Sequence, residues 1–165
     1  MKNSISGIAT GLLLVASAGL SPATAAPVSV TGATALAVAA VVAQYSPLLG
    51  AGDKKVIAGL FDGKVKSSYP KKKLSVSADS VMCRISNVAI ADRSCEITFG
   101  KKAKHSLKGR EANELYATLA TAGINAEGAA GSMIENVTKF SCTLDPAEIK
   151  DNSGGGADCS LGTDQ

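Results

Sequence analysis

The chain has 165 residues, of which 45% are hydrophobic, 4% aromatic and 19% charged, with a formal net charge of +3. That length suits one domain, and the composition excludes collagen, low-complexity disorder and a coiled coil. One His, three Phe, three Tyr and no Trp exclude a histidine-rich metal site and leave little with which to stack bases or sugars.

The N-terminus reads as an export signal. Lys2 precedes an apolar run, Ile8–Leu20, which Ser21-Pro22 breaks. Ala23-Thr24-Ala25 then puts small residues where a signal peptidase reads them. Residues 1–25 are expected to be a cleaved signal peptide, and no lipobox cysteine stands at the cut. The apolar run is shorter than the ~20 residues that cross a bilayer. An Ala/Val-rich segment, 26–52, follows. Within it Ala33–Gln44 is apolar almost all round, which fits a buried helix, a poorly ordered tail or a docking helix, in that order of preference. Asp53–Phe61 places Val56, Ile57, Leu60 and Phe61 on one helical face, with Asp53 as N-cap. Lys64–Lys73 carries five lysines and a Pro and reads as an exposed loop.

From Leu74 the pattern turns to strand. Leu74–Val81 and Cys83–Ile90 are two runs, Ala91–Ser94 a turn, and Cys95–Phe99 alternates with Cys95, Ile97 and Phe99 on one face. Gly100–Gly109 reads as a second basic loop. Arg110–Ala122 is the clearest helix, with Ala112, Leu115, Tyr116 and Leu119 forming its apolar stripe and Gly123 as C-terminal cap. Asn125–Ser132 reads as a loop and Met133–Leu144 as a strand. Ile149–Gly156 is a Gly-rich loop, Ala157–Leu161 a last short strand and 162–165 a frayed tail. The expected fold is α+β: a small, mainly antiparallel sheet with helices packed on one face, stapled by disulfides, in one domain over 53–161. A cysteine-bearing hairpin on either side of the central helix hints at a pseudo-repeat.

The four cysteines, Cys83, Cys95, Cys142 and Cys159, are even in number and suit an oxidising compartment. The pairing Cys83–Cys95 and Cys142–Cys159 joins near neighbours, each loop contributing about 3 kcal/mol in the chain-entropy picture. If the strand ran on to Ile90, a four-residue turn would set Ile90, not Cys83, opposite Cys95. No C-x2-C pair is present, so zinc is not expected. Asp151–Asp158 has a calcium-loop composition without the EF-hand ligand order. Asn136-Val137-Thr138 matches a glycosylation acceptor. No cofactor and no metal is expected.

Charge is unevenly spread. Lys54–Arg110 holds 14 Lys/Arg and 4 Asp/Glu, a net +10; Glu111–Gln165 holds 2 Lys and 9 Asp/Glu, a net −7. Lys71, Lys72, Lys73, Lys101, Lys102, Lys104 and Lys108 form a candidate anion-binding patch. The expected function is that of an exported, periplasmic or extracellular, non-enzymatic protein binding another envelope or extracellular molecule, in the manner of an inhibitor or adaptor. An alternative is an electrostatic binder of anionic membrane or polymer surfaces. A further alternative is a small hydrolase using His105 with a carboxylate or Ser106. The partner is expected to be a protein or an anionic envelope component rather than nucleic acid, with no integral span in the mature chain.

Overall fold

Alternation of more and less buried residues runs along most strands, and it decides which face of the sheet meets the helices. The computed structural model describes residues 27–64, 66–85, 89–101, 103–123, 137–149 and 155–163. The expected signal peptide, Lys102, Asn136 and most of the Gly-rich loop lie outside the described residues. The strands are β1 (Val28–Thr31), β2 (Leu74–Ala78), β3 (Ser80–Arg84), β4 (Ser94–Phe99), β5 (Ala103–Lys108), β6 (Val137–Leu144) and β7 (Ala157–Thr163). The helices are α1 (Gly32–Tyr45), α2 (Ala51–Phe61) and α3 (Gly109–Thr121). The seven strands form one antiparallel sheet in the order β1-β7-β6-β3-β4-β5, with β2 also paired to β6. The fold is α+β and disulfide-stapled.

β2 and β3 are one strand bent at Asp79. Its lower part pairs with β6, Leu74 opposite Leu144 and Ala78 opposite Phe140. Its upper part pairs with β4, and Asp79 N–H donates to the Thr98 carbonyl at 2.8 Å. α1 lies over the middle of the sheet, against β7, β2 and β6, with α2 and α3 beside it. This placement explains why Ala33–Gln44 shows no amphipathic stripe: sheet and neighbouring helices cover it on several sides. Ala35, Leu36, Val38, Ala39, Val42 and Ala43 are all buried.

The two disulfides are Cys83–Cys95 and Cys142–Cys159. Each joins residues directly opposite one another on neighbouring strands. β3 is described only as far as Arg84, and a 3-10 turn at Ile90–Asp92 leads into β4. The continuous strand expected from Cys83 to Ile90 is not formed, since Ile85 and Ala89 lie outside any strand, and Cys83 comes directly opposite Cys95.

Other boundaries also differ from expectation. Val28–Thr31 is a strand, with Val28 and Val30 turned inward in the alternation its sequence carries. Gly100–Gly109 is not a loop. Its core is β5, where Leu107 is buried while Lys104, Ser106 and Lys108 are exposed. α2 begins two residues before Asp53, so that carboxylate sits in the first turn, near the positive end of the helix dipole, rather than at the cap. Gly162 and Thr163 pair with β6 instead of fraying.

The strand order reads the same in both directions from the β6–β3 junction, where Val81 faces Val137. β5 passes through Gly109 (φ 60°) into α3, and β1 passes through Gly32 (φ 70°) into α1. Two residues before each glycine, Leu107 faces Cys95 and Val30 faces Cys159. Three residues after each glycine, Ala112 and Ala35 lie with their carbonyls 3.4 Å from the Cys95 and Cys159 sulfurs. A pseudo-two-fold axis therefore relates β3-β4-β5-α3 to β6-β7-β1-α1. The second unit is circularly split: its edge strand and helix come from the N-terminal side of the chain.

Candidate binding face

The helices occupy one face of the sheet, and the described elements leave the other face uncovered. Register across the strands arranges this outer face into rows. On β1, β7, β6 and β2 one row is Ser29, Ser160, Ser141 and Ser77; the next is Thr31, Asp158, Thr143 and Ser75. On β3, β4 and β5 the rows are Ser80-Thr98-Lys104, Met82-Glu96-Ser106 and Arg84-Ser94-Lys108. The first region is a field of hydroxyls. The second carries three cations against one carboxylate, a net charge of +2.

A trough of about 390 Å³ runs over this second region, lined by Met82, Arg84, Ser94, Glu96, Ser106 and Lys108. Arg84 and Lys108 stand two strands apart on one row, with the Ser94 hydroxyl between them, so their Cα atoms are about 10 Å apart. Neither has a carboxylate partner within 4.0 Å among the described residues. Glu96 is met by Lys104 Nζ at 2.8 Å on the far side of the trough. Met82 supplies an apolar floor. The arrangement suits an acidic group held by the paired cations and Ser94, with its less polar body over Met82. The Cys83–Cys95 disulfide ties two of its three strands from beneath.

The candidate lysines are dispersed. Lys71, Lys72 and Lys73 precede β2 at the lower end of the sheet, Lys72 Nζ 3.8 Å from Asp53 and Lys73 Nζ 3.8 Å from Asp145. Lys108 lies at the level of Arg84, ten residues further along the β2–β3 strand than Leu74, or roughly 30 Å. Lys101 is in the β4–β5 turn. Of the candidate lysines among the described residues, Lys104 and Lys108 share the outer face with the trough. Arg84 and Ser94 were not singled out by the sequence, and Ser106 only as a possible partner of His105, although each sits at an outward position of its strand.

His105 projects from β5 toward the helix side, opposite to Ser106, because successive strand residues point to opposite faces. A His105–Ser106 dyad is therefore not formed. Its ring stacks on Tyr45 with centroids 4.6 Å apart. Burial, then the Glu111 and Glu114 carboxylates, raises the Tyr45 phenol above its ordinary pKa. Glu114 is itself paired with Arg110 at 3.0 Å.

A second concavity of about 460 Å³ lies between α1 and α2, lined by Ala40, Val41, Gln44, Lys54, Ala58 and Phe61 among others. It is more apolar, and the Lys54 ammonium already donates to the Gln44 carbonyl at 3.2 Å. No helix among the described residues is long and apolar enough to cross a membrane. No protein-family model, no curated protein and no solved structure matches this chain.

Proposed function

We propose that this is a small exported protein, not an enzyme, that binds another envelope or extracellular molecule through the outer face of β3-β4-β5. The carrying observation is the Arg84-Ser94-Lys108 row: two cations flank a hydroxyl on a rigid, helix-free face. Export is supported by the signal-like N-terminus and by the engagement of all four cysteines in disulfides. The ligand presents a carboxylate or another anionic group to the two cations, and an apolar portion to Met82. Affinity capture with crosslinking from the native envelope tests this. The wild-type chain should retain a partner that Arg84→Glu/Lys108→Glu loses. Equal capture by both chains would refute the assignment of the face.

A second reading, an electrostatic binder of anionic membrane or polymer surfaces, is favoured by Lys101, Lys104 and Lys108, all exposed around β5. Co-sedimentation with anionic vesicles should then fall steeply with salt. Binding that is indifferent to salt would reject it.

A further inference from the structure

Among the described residues β5 is the last strand of the sheet, and its backbone shows what that edge offers. Gly109 N–H donates to the Arg93 carbonyl at 2.9 Å, continuing the β4–β5 ladder beyond the paired residues. In an antiparallel ladder the residues that exchange hydrogen bonds alternate with those that do not. Counting back from Gly109, the bonded residues are Leu107, His105 and Ala103. The N–H and C=O groups of Lys108, Ser106 and Lys104 therefore point away from β4, toward the free edge. The β3 side agrees: Cys83 and Cys95 lie 4.0 Å apart at Cα, the spacing of a non-bonded pair, so Cys95 spends its backbone bonds on Leu107.

We propose that this edge receives an acidic, extended segment of a partner protein as an eighth strand of the sheet. The inference rests on the binding role assigned above and names the partner's chemistry. The three residues with free backbone groups also carry the outward side chains Lys104, Ser106 and Lys108. A strand added in register sets its own outward residues beside them. Carboxylates at positions i and i+4 meet the two lysines, and a small or hydroxyl residue at i+2 meets Ser106. The intervening residues fall on the helix side, along Ala103, His105 and Leu107, and are apolar. The exposed Lys104–Glu96 pair is weak and exchanges readily for a carboxylate on the incoming strand.

The same lysines exclude the commonest rival, a second copy of this chain. Antiparallel β5–β5 pairing sets Lys104 against Lys108 twice, and lysines on an edge oppose that contact. The edge thus repels itself and selects an acidic strand. The opposite edge, β1, presents Ser29 and Thr31 and carries no charge for such a choice.

Amide hydrogen exchange of the full disulfide-bonded chain, read by NMR, tests the inference. The probe is a capped octapeptide alternating Val and Glu, with an alternating Val and Lys peptide as control. The Val–Glu peptide should protect the amides of Lys104, Ser106 and Lys108 and leave Ala103, His105 and Leu107 unchanged. Lys104→Glu/Lys108→Glu should weaken binding at least about tenfold, whereas Lys139→Glu, an exposed charge reversal on β6, should leave the protection in place. N-methylation of alternate peptide residues should abolish it. Peptide shifts confined to Met82, Arg84 and Ser94, without protection on β5, would overturn strand addition while leaving the trough standing. Absence of Val–Glu binding, or equal binding of Val–Lys, would overturn strand addition as well.

Discussion

The β3-β4-β5-α3 half and the β6-β7-β1-α1 half bury matching things in matching places. Each sets a cross-strand disulfide beneath a helix alanine, Ala112 in one and Ala35 in the other. Each passes from edge strand to helix through a glycine of positive φ. Outside, they differ. The first half shows Arg84, Lys104, Lys108 and Glu96 on its uncovered face; the second shows serines and threonines with Lys139 and Asp158 balancing. The inner face answers to packing, and the seating of a helix alanine on a cross-strand disulfide recurs in both halves. The outer face is free of that demand, so its divergence points to what each half is for.

The comparison can be broken by perturbing equivalent positions. Replacing both cysteines of either disulfide with Ala should cost about 3 kcal/mol, because the two loops, with sequence separations of 12 and 17, are similar in length. Denaturant unfolding of the two double variants checks this, and losses differing by more than about 2 kcal/mol would end the equivalence. Ala35→Leu and Ala112→Leu should each cost about 1–3 kcal/mol. Both positions are fully buried, so the added methylenes enter a packed core. A cost at only one site would show that the two helices are seated differently.

Gly32→Ala and Gly109→Ala should each cost about 1–2 kcal/mol for holding a side chain at φ 70° and 60°. At Gly109 the penalty is conformational, since the nearest heavy atom to an added Cβ is 4.0 Å away. The smallest effect concerns Tyr45, at the seam between the halves. Its phenol is held above its usual 10.0 by burial and by Glu111 and Glu114. A folded-state value above the unfolded one contributes stability that is complete below pH 10 and lost as pH rises through the folded value. Tyr45→Phe should therefore flatten the alkaline limb of stability against pH and leave that profile's shape unchanged near neutrality. An unchanged alkaline limb would remove the effect assigned to this phenol.

The sequence carried the α3 stripe and the β4 alternation clearly, because each is a local pattern; the cysteine pairing followed from short loop closure, against the register expected of Cys83–Ile90. It hid β5, since four lysines around Ala103, His105 and Leu107 looked like a loop although the period of two was present. It hid β1 for a different reason. Val-Ser-Val-Thr is four residues long and abuts the apparent signal, and only its pairing with β7, more than a hundred residues away, makes it a strand. The trough was not legible at all. Arg84, Ser94 and Lys108 come together only through the register of three strands, which no spacing along the chain encodes. The seven candidate lysines show the converse: close in sequence, several are separated by the length of the sheet.

The central claim is that the outer face of β3-β4-β5, and not its pseudo-symmetric counterpart, is the working surface. Parallel crosslinked capture from the native envelope, with Arg84→Glu/Lys108→Glu beside Ser141→Glu/Ser160→Glu, tests it most directly. The account predicts that the first pair abolishes capture of a partner that the second pair leaves in place. Loss of that partner through Ser141→Glu/Ser160→Glu, with retention through Arg84→Glu/Lys108→Glu, would contradict it.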